Sequence, residues 1–563
     1  MDSKSSCSII IFGGNSPLYL QESEHNYSYQ INSGDIFGEK IISLNNTSKF
    51  LELSRSLRNE YTEYIYSLNS LFLEQELIYD GNLSMFFLTD LSNKRTETYD
   101  TYQSICHLII LYETISKIPN LNKIILYKVP MRFVKAVKSL FRDKEIIERH
   151  IINQPKFLVP RLYLNQCLFF SRTFIQIFML KIFRLNETLK ASPSRTFFLT
   201  RYPKHFSKSN KDEKYGNCLN PDDLYLISII ADGMHQNVSL VNSYKYIREL
   251  QKTKIRFICL DKYISLTDIL VSFLKSFTIT ARFMKIINSE FRFGKIDISL
   301  FVTDELTTSV LRIPRLMMYK NSLINLMHKH KPQRFVYYLF EFCYGRFFTY
   351  IFKQYFPNIH TIGFQHGPNS QRHIMFYLAV DEGSYQSHDY LRFLPMPNEV
   401  LAENKQAQLV YETGGYRNIK LMDRIYRLDY LDKINRKNIV GDSVLVAAAL
   451  HDGYQLFRYL TQYMKENENI TFFFKLHPLT NKNIFRYIER NKIKNTIIAH
   501  KELYYYLSIV SEVIVTQSSV GYEAYILGIP VRVISLPNKI NDSCLVDIYE
   551  NGEKKNITID HFL

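Results

Sequence analysis

A strand-like run near residue 475 ends in side chains that could hold a phosphate group. The apolar run 472–474 continues directly into Lys475, His477 and Pro478. Pro478 stops the strand and fixes the loop, which leaves His477, a donor whose charge is adjustable near neutral pH, at the strand end. The functional interpretation is a hydrogen bond or a charge directed at a donor phosphate. The alternative is a histidine in an ordinary strand-end turn.

A second run, 513–515, ends in a hydroxyl pair and the start of a helix. Gln517, Ser518 and Ser519 precede the helical pattern, so free backbone N–H groups and the positive end of the helix dipole would accompany the two hydroxyls. This pattern predicts a phosphate cradle, with simple N-capping by Ser519 as the alternative. Glu523 comes four residues after Ser519, not three, so it does not complete a capping box and is predicted to accept from a ribose hydroxyl.

Other candidate residues follow strand-like runs or occupy turns. His366 ends such a run and is predicted to face the cleft, where it would serve catalysis or acceptor binding, or form a structural turn. Asp381 and Glu382 are paired acids that could supply a general base for an attacking hydroxyl, with a solvated turn as the alternative. Glu341 competes for the same role. His451 follows an alanine run that would let a ligand approach the backbone, which makes it a candidate for the donor site.

Strand and helix patterns alternate from residue 224 to 364 and again from 399 to 534. Such alternation is typical of parallel, doubly wound sheets, in which ligands bind at the carboxyl ends of the strands. Both phosphate-binding corners fall at such ends, so we expect them to share one crevice. A strand is also predicted at 86–90, and the segment 368–397 is predicted as a hinge between domains.

The length of 563 residues allows two or more domains. The predicted fold class is α/β, with an N-terminal domain over 1–394 that carries a helical insertion at about 130–220. A C-terminal nucleotide-binding domain follows over 395–563, and the strands at 399–402 and 418–422 are predicted to belong to it.

The net charge indicates the kind of partner, and the cysteine spacing indicates the redox environment. The net charge of +16 favours anionic partners, but no zinc finger, recognition helix or basic tail is present, so nucleic acid is not expected. The seven cysteines are scattered, with no CxxC pair, which argues against disulfides or a zinc site and favours a reducing cytoplasm. We predict no metal and no cofactor beyond a nucleotide-sugar substrate.

Two long helical patterns raise the question of a membrane. No stretch has eighteen uncharged apolar residues, since Arg172 and Lys181 interrupt the longest candidate, 167–183. The helical patterns over 161–189 and 266–287 mix apolar and basic positions, which would suit the surface of an anionic membrane. The alternative is that each is an ordinary amphipathic helix whose apolar face is buried in the protein.

Several short motifs occur together in residues 335–535, and their order resembles that of a known family. They are Phe364-Gln365-His366-Gly367, Pro395-Met396-Pro397, Lys475-Leu476-His477-Pro478, Ser518-Ser519, Gly521-Tyr522-Glu523-Ala524 and Gly528-Ile529-Pro530-Val531. This set resembles bacterial surface-carbohydrate biosynthesis proteins of the GT-B glycosyltransferase type, and the HP and SS pairs are similar to those of bacterial sialyltransferases, polysialyltransferases and capsule Kdo transferases. The C-terminal pattern is also similar to that of polyglycerol-phosphate transferases.

The resemblance implies two Rossmann-like domains that face a cleft. It also implies a CMP-linked sugar donor held by the HP and SS residues, and a base from a D/E-D/E-G motif whose letters match Asp381-Glu382-Gly383. We therefore expect a cytoplasmic, metal-independent glycosyltransferase that contacts the membrane periphery and extends a glycan or glycolipid acceptor. The alternatives are a CDP-alditol phosphotransferase and a non-catalytic scaffold of GT-B type.

Overall fold

Parallel strands alternate with helices along most of the chain and form three sheets of five, seven and six strands. The computed structural model describes residues 7–14, 18–19, 27–32, 36–37, 41–96, 98–152, 158–183, 185, 187, 196–203, 206, 211–229, 239–337, 342–383, 388–436, 439, 441–450, 452–477, 483–491 and 493–561. The α/β class with Rossmann-like units that the sequence predicts is confirmed. No helix in these ranges is long and apolar enough to span a membrane.

The five-stranded sheet is built around the first strand, Cys7–Phe12, which is apolar on both faces from Ile9 onward, as in a central parallel strand. In spatial order its strands are Ile42–Ser43, Tyr27–Gln30, Cys7–Phe12, Leu121–Tyr127 and Glu145–Arg149, all parallel. The helices of this part are Thr47–Ser56, Arg58–Ser67, Asn69–Glu74, Asp90–Asn93, Thr101–Ile115 and Met131–Leu140.

The seven-stranded sheet is also entirely parallel. Its strands, in spatial order, are Phe257–Cys259, Leu224–Ser228, Thr196–Arg201, Arg334–Tyr337, His360–Phe364, Glu399–Ala402 and Ile419–Leu421. The helices of this part are Leu158–Ile182, Leu240–Lys252, Leu266–Ile287, Ser299–Met317, Tyr319–His330, Cys343–Tyr355 and Lys405–Thr413. The region predicted as one N-terminal domain thus holds two sheets, and the predicted insertion at about 130–220 contributes a strand to each.

Two strands predicted for the C-terminal domain belong to this seven-stranded sheet instead. Glu399–Ala402 pairs with His360–Phe364, and Ile419–Leu421 pairs with Glu399–Ala402. The segment 368–397, predicted as a hinge between domains, therefore connects two neighbouring strands of one sheet. The prediction of these two strands' membership is wrong because strand pairing is a non-local choice that the local pattern does not encode.

The six-stranded sheet forms the C-terminal part. Its strands, in spatial order, are Thr496–Ile498, Thr471–Lys475, Ser443–Ala447, Glu512–Val515, Val531–Ser535 and Ile557–His561, all parallel. The helices are Gly453–Glu466, Asn483–Asn491, Leu503–Ile509, Ser519–Ile526 and Cys544–Glu550. Each face has its own apolar core, as expected for a sheet covered by helices on both sides.

The remaining elements are short. Leu18–Tyr19 pairs with Ile36–Phe37, Ile78–Tyr79 with Leu83–Ser84, and Arg292–Phe293 with Ile296–Asp297. Single 3₁₀ turns occupy Met85–Leu88, Leu260–Tyr263, Ile374–Phe376, Tyr426–Leu428 and Leu431–Lys433. The strand predicted at 86–90 is wrong, because this buried run forms a 3₁₀ turn and the start of the Asp90–Asn93 helix.

Strand order reverses once within each large sheet. In the six-stranded sheet the chain runs from Ser443–Ala447 outward to one edge, then returns to Glu512–Val515 and runs outward to the other. Loops that leave two such neighbouring strands diverge, and a crevice opens between their carboxyl ends. The topology therefore points to the loops after Ala447 and Val515 as a place for a ligand.

The glycine that ends the first strand is required by close packing. Gly13 N donates to the Tyr127 carbonyl at 3.0 Å, and a Cβ at Gly13 would lie 2.6 Å from the Lys128 carbonyl oxygen. We expect Gly13→Ala to lower the free energy of unfolding by about 1–3 kcal/mol because backbone must move to admit the methyl group. Urea titration would measure this, with Gly367→Ala as control, since its Cβ would meet no atom within 4 Å. Equal stability of the two variants would contradict the packing argument.

Candidate functional site

The crevice of the six-stranded sheet brings two loops into direct contact. Asp452 follows the strand Ser443–Ala447, and Thr516 follows the strand Glu512–Val515. The Thr516 hydroxyl donates a hydrogen bond to Oδ2 of Asp452, and both side chains are buried. This contact joins the two loops at the point where strand order reverses.

A cavity of about 270 Å³ adjoins this contact. It is lined by residues of the N-terminal part, Asn32, Thr96, Thr98, Tyr99, Asp100 and Gln103, and of the C-terminal part, Asp452, Thr516, Gln517, Ile534, Leu536, Lys539, Ile540, Asn541 and Asp542. Its volume is slightly below the range of about 300–1,000 Å³ that is usual for small-molecule sites. The cavity thus lies between the five-stranded and six-stranded sheets, at the carboxyl edge of the latter.

Asp452, which is buried, and Lys539, which is half-buried, are two of the charged residues that line the cavity, together with Asp100 and Asp542. Asp452 is only 3% exposed, and its Oδ1 has no hydrogen-bond partner within the described ranges. Burial raises the pKa of Asp452, and Lys539 opposes that rise. Burial lowers the pKa of Lys539, whose Nζ lies 3.3 Å from Oε1 of Gln455. A buried oxygen without a partner is a costly arrangement that a ligand hydroxyl or amine would relieve.

The N-terminal part holds one wall of the cavity in place. Asn45 Nδ2 donates to Oδ1 of Asn538 at 2.9 Å, and Nε2 of His107 lies 3.2 Å from the Asn538 carbonyl oxygen. Nδ1 of His107 lies 3.0 Å from the Tyr29 hydroxyl. Burial lowers the pKa of His107 to about 3, so the ring is neutral at physiological pH. These contacts fix the loop that carries Lys539 against the five-stranded sheet.

The predicted hydroxyl pair lies at the start of a helix, as expected. Ser518 is the N-cap of Ser519–Ile526, yet its side chain makes no capping hydrogen bond. Ser519 is the first helical residue, so the alternative in which Ser519 caps the helix is wrong. Gln517 is exposed and lines the cavity. The Ser518 hydroxyl is therefore not used for capping, which leaves it for another partner.

Glu523 lies elsewhere than predicted. It is 7% exposed, and the Tyr430 hydroxyl donates to its Oε2. Burial raises the pKa of Glu523, and the nearby Arg427 opposes that rise. Arg427 itself forms a two-point ion pair with Glu403, at 2.6 and 2.8 Å. The carboxylate thus belongs to a buried contact between the seven-stranded and six-stranded parts, which conflicts with its predicted role as an open ribose acceptor.

The basic corner lies where the sequence predicts. The strand Thr471–Lys475 ends the run, and His477 follows at the carboxyl edge, half-buried. Lys475 Nζ donates to the Lys501 carbonyl at 2.9 Å, so its ammonium is directed at a backbone oxygen. Pro478 and His451 lie outside the described residues.

The candidate catalytic bases differ in their exposure to solvent. Glu382 is completely buried and ion-paired at 2.8 Å with Lys94, which is itself buried, and it also accepts from the Ala379 N–H at 3.0 Å. A carboxylate held in this way cannot reach an acceptor hydroxyl, so the catalytic prediction for Glu382 is not supported. Asp381 beside it is exposed, and His366 is half-buried after the strand His360–Phe364. Glu341 lies outside the described residues.

Several cavity residues, Lys539 and Asp100 among them, are not among the sequence-predicted site residues. Lys539 follows the strand Val531–Ser535 in the order Leu536-Pro537-Asn538-Lys539, so a cation lies close to a proline after a strand, as at Lys475–Pro478 but in the reverse order. That signal could have identified Lys539. Asp100 carries no such signal, because it reaches the cavity only through the packing of distant parts of the chain. Among the described residues, no three His, Cys, Asp or Glu side chains group as metal ligands would, and metal independence stays a prediction.

Comparison with known proteins gave structural matches only. No family model and no curated protein matches the chain. A UDP-GlcNAc 2-epimerase from Neisseria meningitidis, bound to UDP-GlcNAc, is 12% identical with a TM-score of 0.33 over 64% of this chain and 86% of its own. Acinetobacter baumannii MurG is 9% identical with a TM-score of 0.34 over 65% and 85%. The wall teichoic acid polymerase TagF is 13% identical with a TM-score of 0.30 over 70% and 80%.

Proposed function

We propose that the chain is a glycosyltransferase of bacterial cell-surface polysaccharide synthesis. It transfers a sugar from a nucleotide donor, CMP-linked, to a glycan or glycolipid acceptor. The observation that carries this proposal is the crevice of the six-stranded sheet, where a helix that begins at two serines lies beside a cavity lined by the half-buried Lys539 and the buried Asp452. The motif resemblance in residues 335–535 supports the same conclusion independently.

The donor phosphate has a suitable environment at the start of the helix Ser519–Ile526. Its first turn has no acidic residue, so the free N–H groups and the dipole favour an anion there. The Ser518 hydroxyl is available as a further donor because it makes no capping bond. Lys539 is the one lysine or arginine among the described lining residues of the cavity. Because three carboxylates, Asp100, Asp452 and Asp542, share this lining with one lysine, its positive charge suits the one phosphate of a CMP-sugar better than the two phosphates of a UDP-sugar.

The proposed reaction breaks the bond between the sugar and the phosphate of the donor. The acceptor hydroxyl oxygen attacks the anomeric carbon, the bond from that carbon to the phosphate oxygen breaks, and CMP leaves with the electron pair. Donors that strengthen their hold on the phosphate as its charge develops lower the barrier. The acceptor proton passes to a base, for which Asp381, Glu341 and His366 are the sequence candidates. Asp100, which lines the cavity and pairs with Arg132 at 2.8 Å, is a structural one.

We expect His477→Ala to weaken donor binding at least tenfold, about 1.4 kcal/mol, because a donor or charge at the crevice is lost. Titration calorimetry with CMP- and UDP-linked sugars would measure it. His500→Ala is the matched control, since His500 is an exposed histidine after the strand Thr496–Ile498 of the same sheet. Unchanged affinity of His477→Ala for every nucleotide tested would refute the donor-site assignment.

The alternative function, a CDP-alditol phosphotransferase, differs in the group that is transferred. Mass spectrometry of the product would reveal it, because only a phosphotransferase leaves the phosphate in the product.

A further inference from the structure

The two long helices that flank the seven-stranded sheet pack side by side. Leu158–Ile182 lies antiparallel to Leu266–Ile287, as two ring contacts show. Tyr163 stacks on Phe277 with centroids 5.6 Å apart, and Phe170 lies 5.6 Å from Phe273. An apolar groove of about 480 Å³ runs between the helices, lined by Phe170, Ser171, Phe174, Leu266, Thr267, Ile269, Leu270 and Phe273. The pair therefore forms one continuous surface, which we call the helix-pair face.

The solvent side of this face is apolar, whereas an ordinary amphipathic helix would be polar there. Six large apolar side chains of the first helix are 44–59% exposed, namely Leu164, Leu168, Phe174, Ile175, Phe178 and Ile182. Five of the second are 36–59% exposed, namely Leu266, Leu270, Val271, Leu274 and Phe277. A contiguous apolar surface of this kind marks an interaction site on a soluble domain.

The exposed charges that belong to the two helices have one sign. The only carboxylate on the two helices is Asp268, which is buried in a capping box with Ser265. The exposed ionisable residues are cations, Arg161, Lys181, Lys275 and Lys285. Arg282 is not counted because it is paired with Glu76 at 2.9 Å. The two helices thus present apolar surface bordered by cations, with no exposed acid of their own, and such a surface is complementary to an anionic one.

We infer that the helix-pair face docks on an anionic lipid bilayer. The apolar side chains enter the boundary between headgroups and acyl chains, and the four cations contact the anionic headgroups. A second copy of the chain fits less well, because a two-fold contact would set this cationic face against itself with no acid to compensate. The inference is independent of the proposed function, since it rests on residues far in sequence from the crevice.

The test is flotation of the full chain with vesicles at low salt. We expect the protein to float with vesicles of phosphatidylcholine and phosphatidylglycerol, and to float several-fold less at high salt because screening weakens the headgroup contacts. The double variant Leu168→Glu/Phe178→Glu should reduce the floated fraction at least tenfold. Tyr504→Glu is the matched control, because Tyr504 is 56% exposed on a helix of the six-stranded part.

Two results would overturn the inference. One is a protein that stays in the soluble fraction with anionic vesicles, and the other is a double variant that floats as well as the parent chain. Sedimentation velocity without lipid would test whether a second copy of the chain, and not a bilayer, covers the helix-pair face. A dimer that Leu168→Glu/Phe178→Glu dissociates, together with absent flotation, would assign the face to a second copy. Circular dichroism of both variants would verify that the substitutions leave the fold unchanged.

Discussion

Replacing Glu382 with alanine is expected to lower the free energy of unfolding by about 3–5 kcal/mol, because it strands a buried cation. Lys94 is 1% exposed and loses its partner at 2.8 Å. The Ala379 N–H, 3.0 Å from the same carboxylate, loses its acceptor as well. Guanidinium titration of the first unfolding transition would measure the loss. A catalytic base would show the opposite pattern, with stability retained and turnover lost.

Two further variants make this interpretation specific. Lys94→Met/Glu382→Leu replaces the pair with apolar side chains of similar volume and should recover most of the lost stability, since a buried ion pair is seldom worth more than good packing. Asp381→Ala, the exposed acid next in sequence, should change stability by no more than about 0.5 kcal/mol. If Glu382→Ala is as stable as the parent chain but inactive, Glu382 is catalytic and the ion pair is not structural.

Asp381 and Glu382 also illustrate why the sequence predicts the surroundings of some side chains and not of others. Asp381 and Glu382 are adjacent acids in a predicted turn, and the local sequence does not show which of them is buried. The structure distinguishes them because Glu382 pairs with Lys94, 288 residues away. Glu523 depends in the same way on Tyr430, across 93 residues. Burial imposed by distant partners has no local signature, so the sequence predicts solvent-exposed roles for Glu382 and Glu523, whereas the structure buries both carboxylates.

The fold, like the site, is predictable from the sequence where the signal is local and not where it depends on distant residues. The central strands are apolar runs bounded by turn residues, and Ser443–Ala447, Thr471–Lys475 and Glu512–Val515 lie where the pattern predicts them. The run at 86–90 is equally apolar but forms a turn and a helix, because a short buried run has no periodicity that distinguishes the two. The local pattern also does not determine which sheet the strand Glu399–Ala402 joins. That choice depends on its partner strand, His360–Phe364, which is distant in sequence.

The carboxyl edge of the six-stranded sheet was predictable because it needs only strand direction. Parallel strands place all their following loops on one edge, so Gln517, Ser518 and His477 were located without knowledge of packing. The opposite wall of the cavity, with Tyr99 and Asp100, belongs to the five-stranded sheet's part of the chain. The sequence therefore predicts the half of the site that one sheet supplies.

Replacing Ser518 with alanine separates a phosphate-binding role from a structural one. A serine that caps a helix costs about 1 kcal/mol of stability when it is removed, but the Ser518 side chain makes no capping bond, so we expect a loss below about 0.5 kcal/mol. If the hydroxyl stabilises the leaving phosphate, turnover should fall roughly 100-fold or more, as for the removal of one oxyanion donor. Single-turnover kinetics with a CMP-sugar, alongside thermal unfolding, would measure both quantities.

The matched control for this variant is Ser239→Ala. Ser239 caps the helix Leu240–Lys252 and accepts from the Asn242 N–H at 3.2 Å, so its loss should cost about 1 kcal/mol and leave turnover unchanged. The two serines are thus expected to respond in opposite ways to one substitution. If Ser518→Ala behaves like Ser239→Ala, losing stability and keeping turnover, the hydroxyl is a helix cap and the phosphate must bind elsewhere along the crevice. Ser519→Ala would then be the next variant to examine, because it tests the remaining hydroxyl at the same helix start.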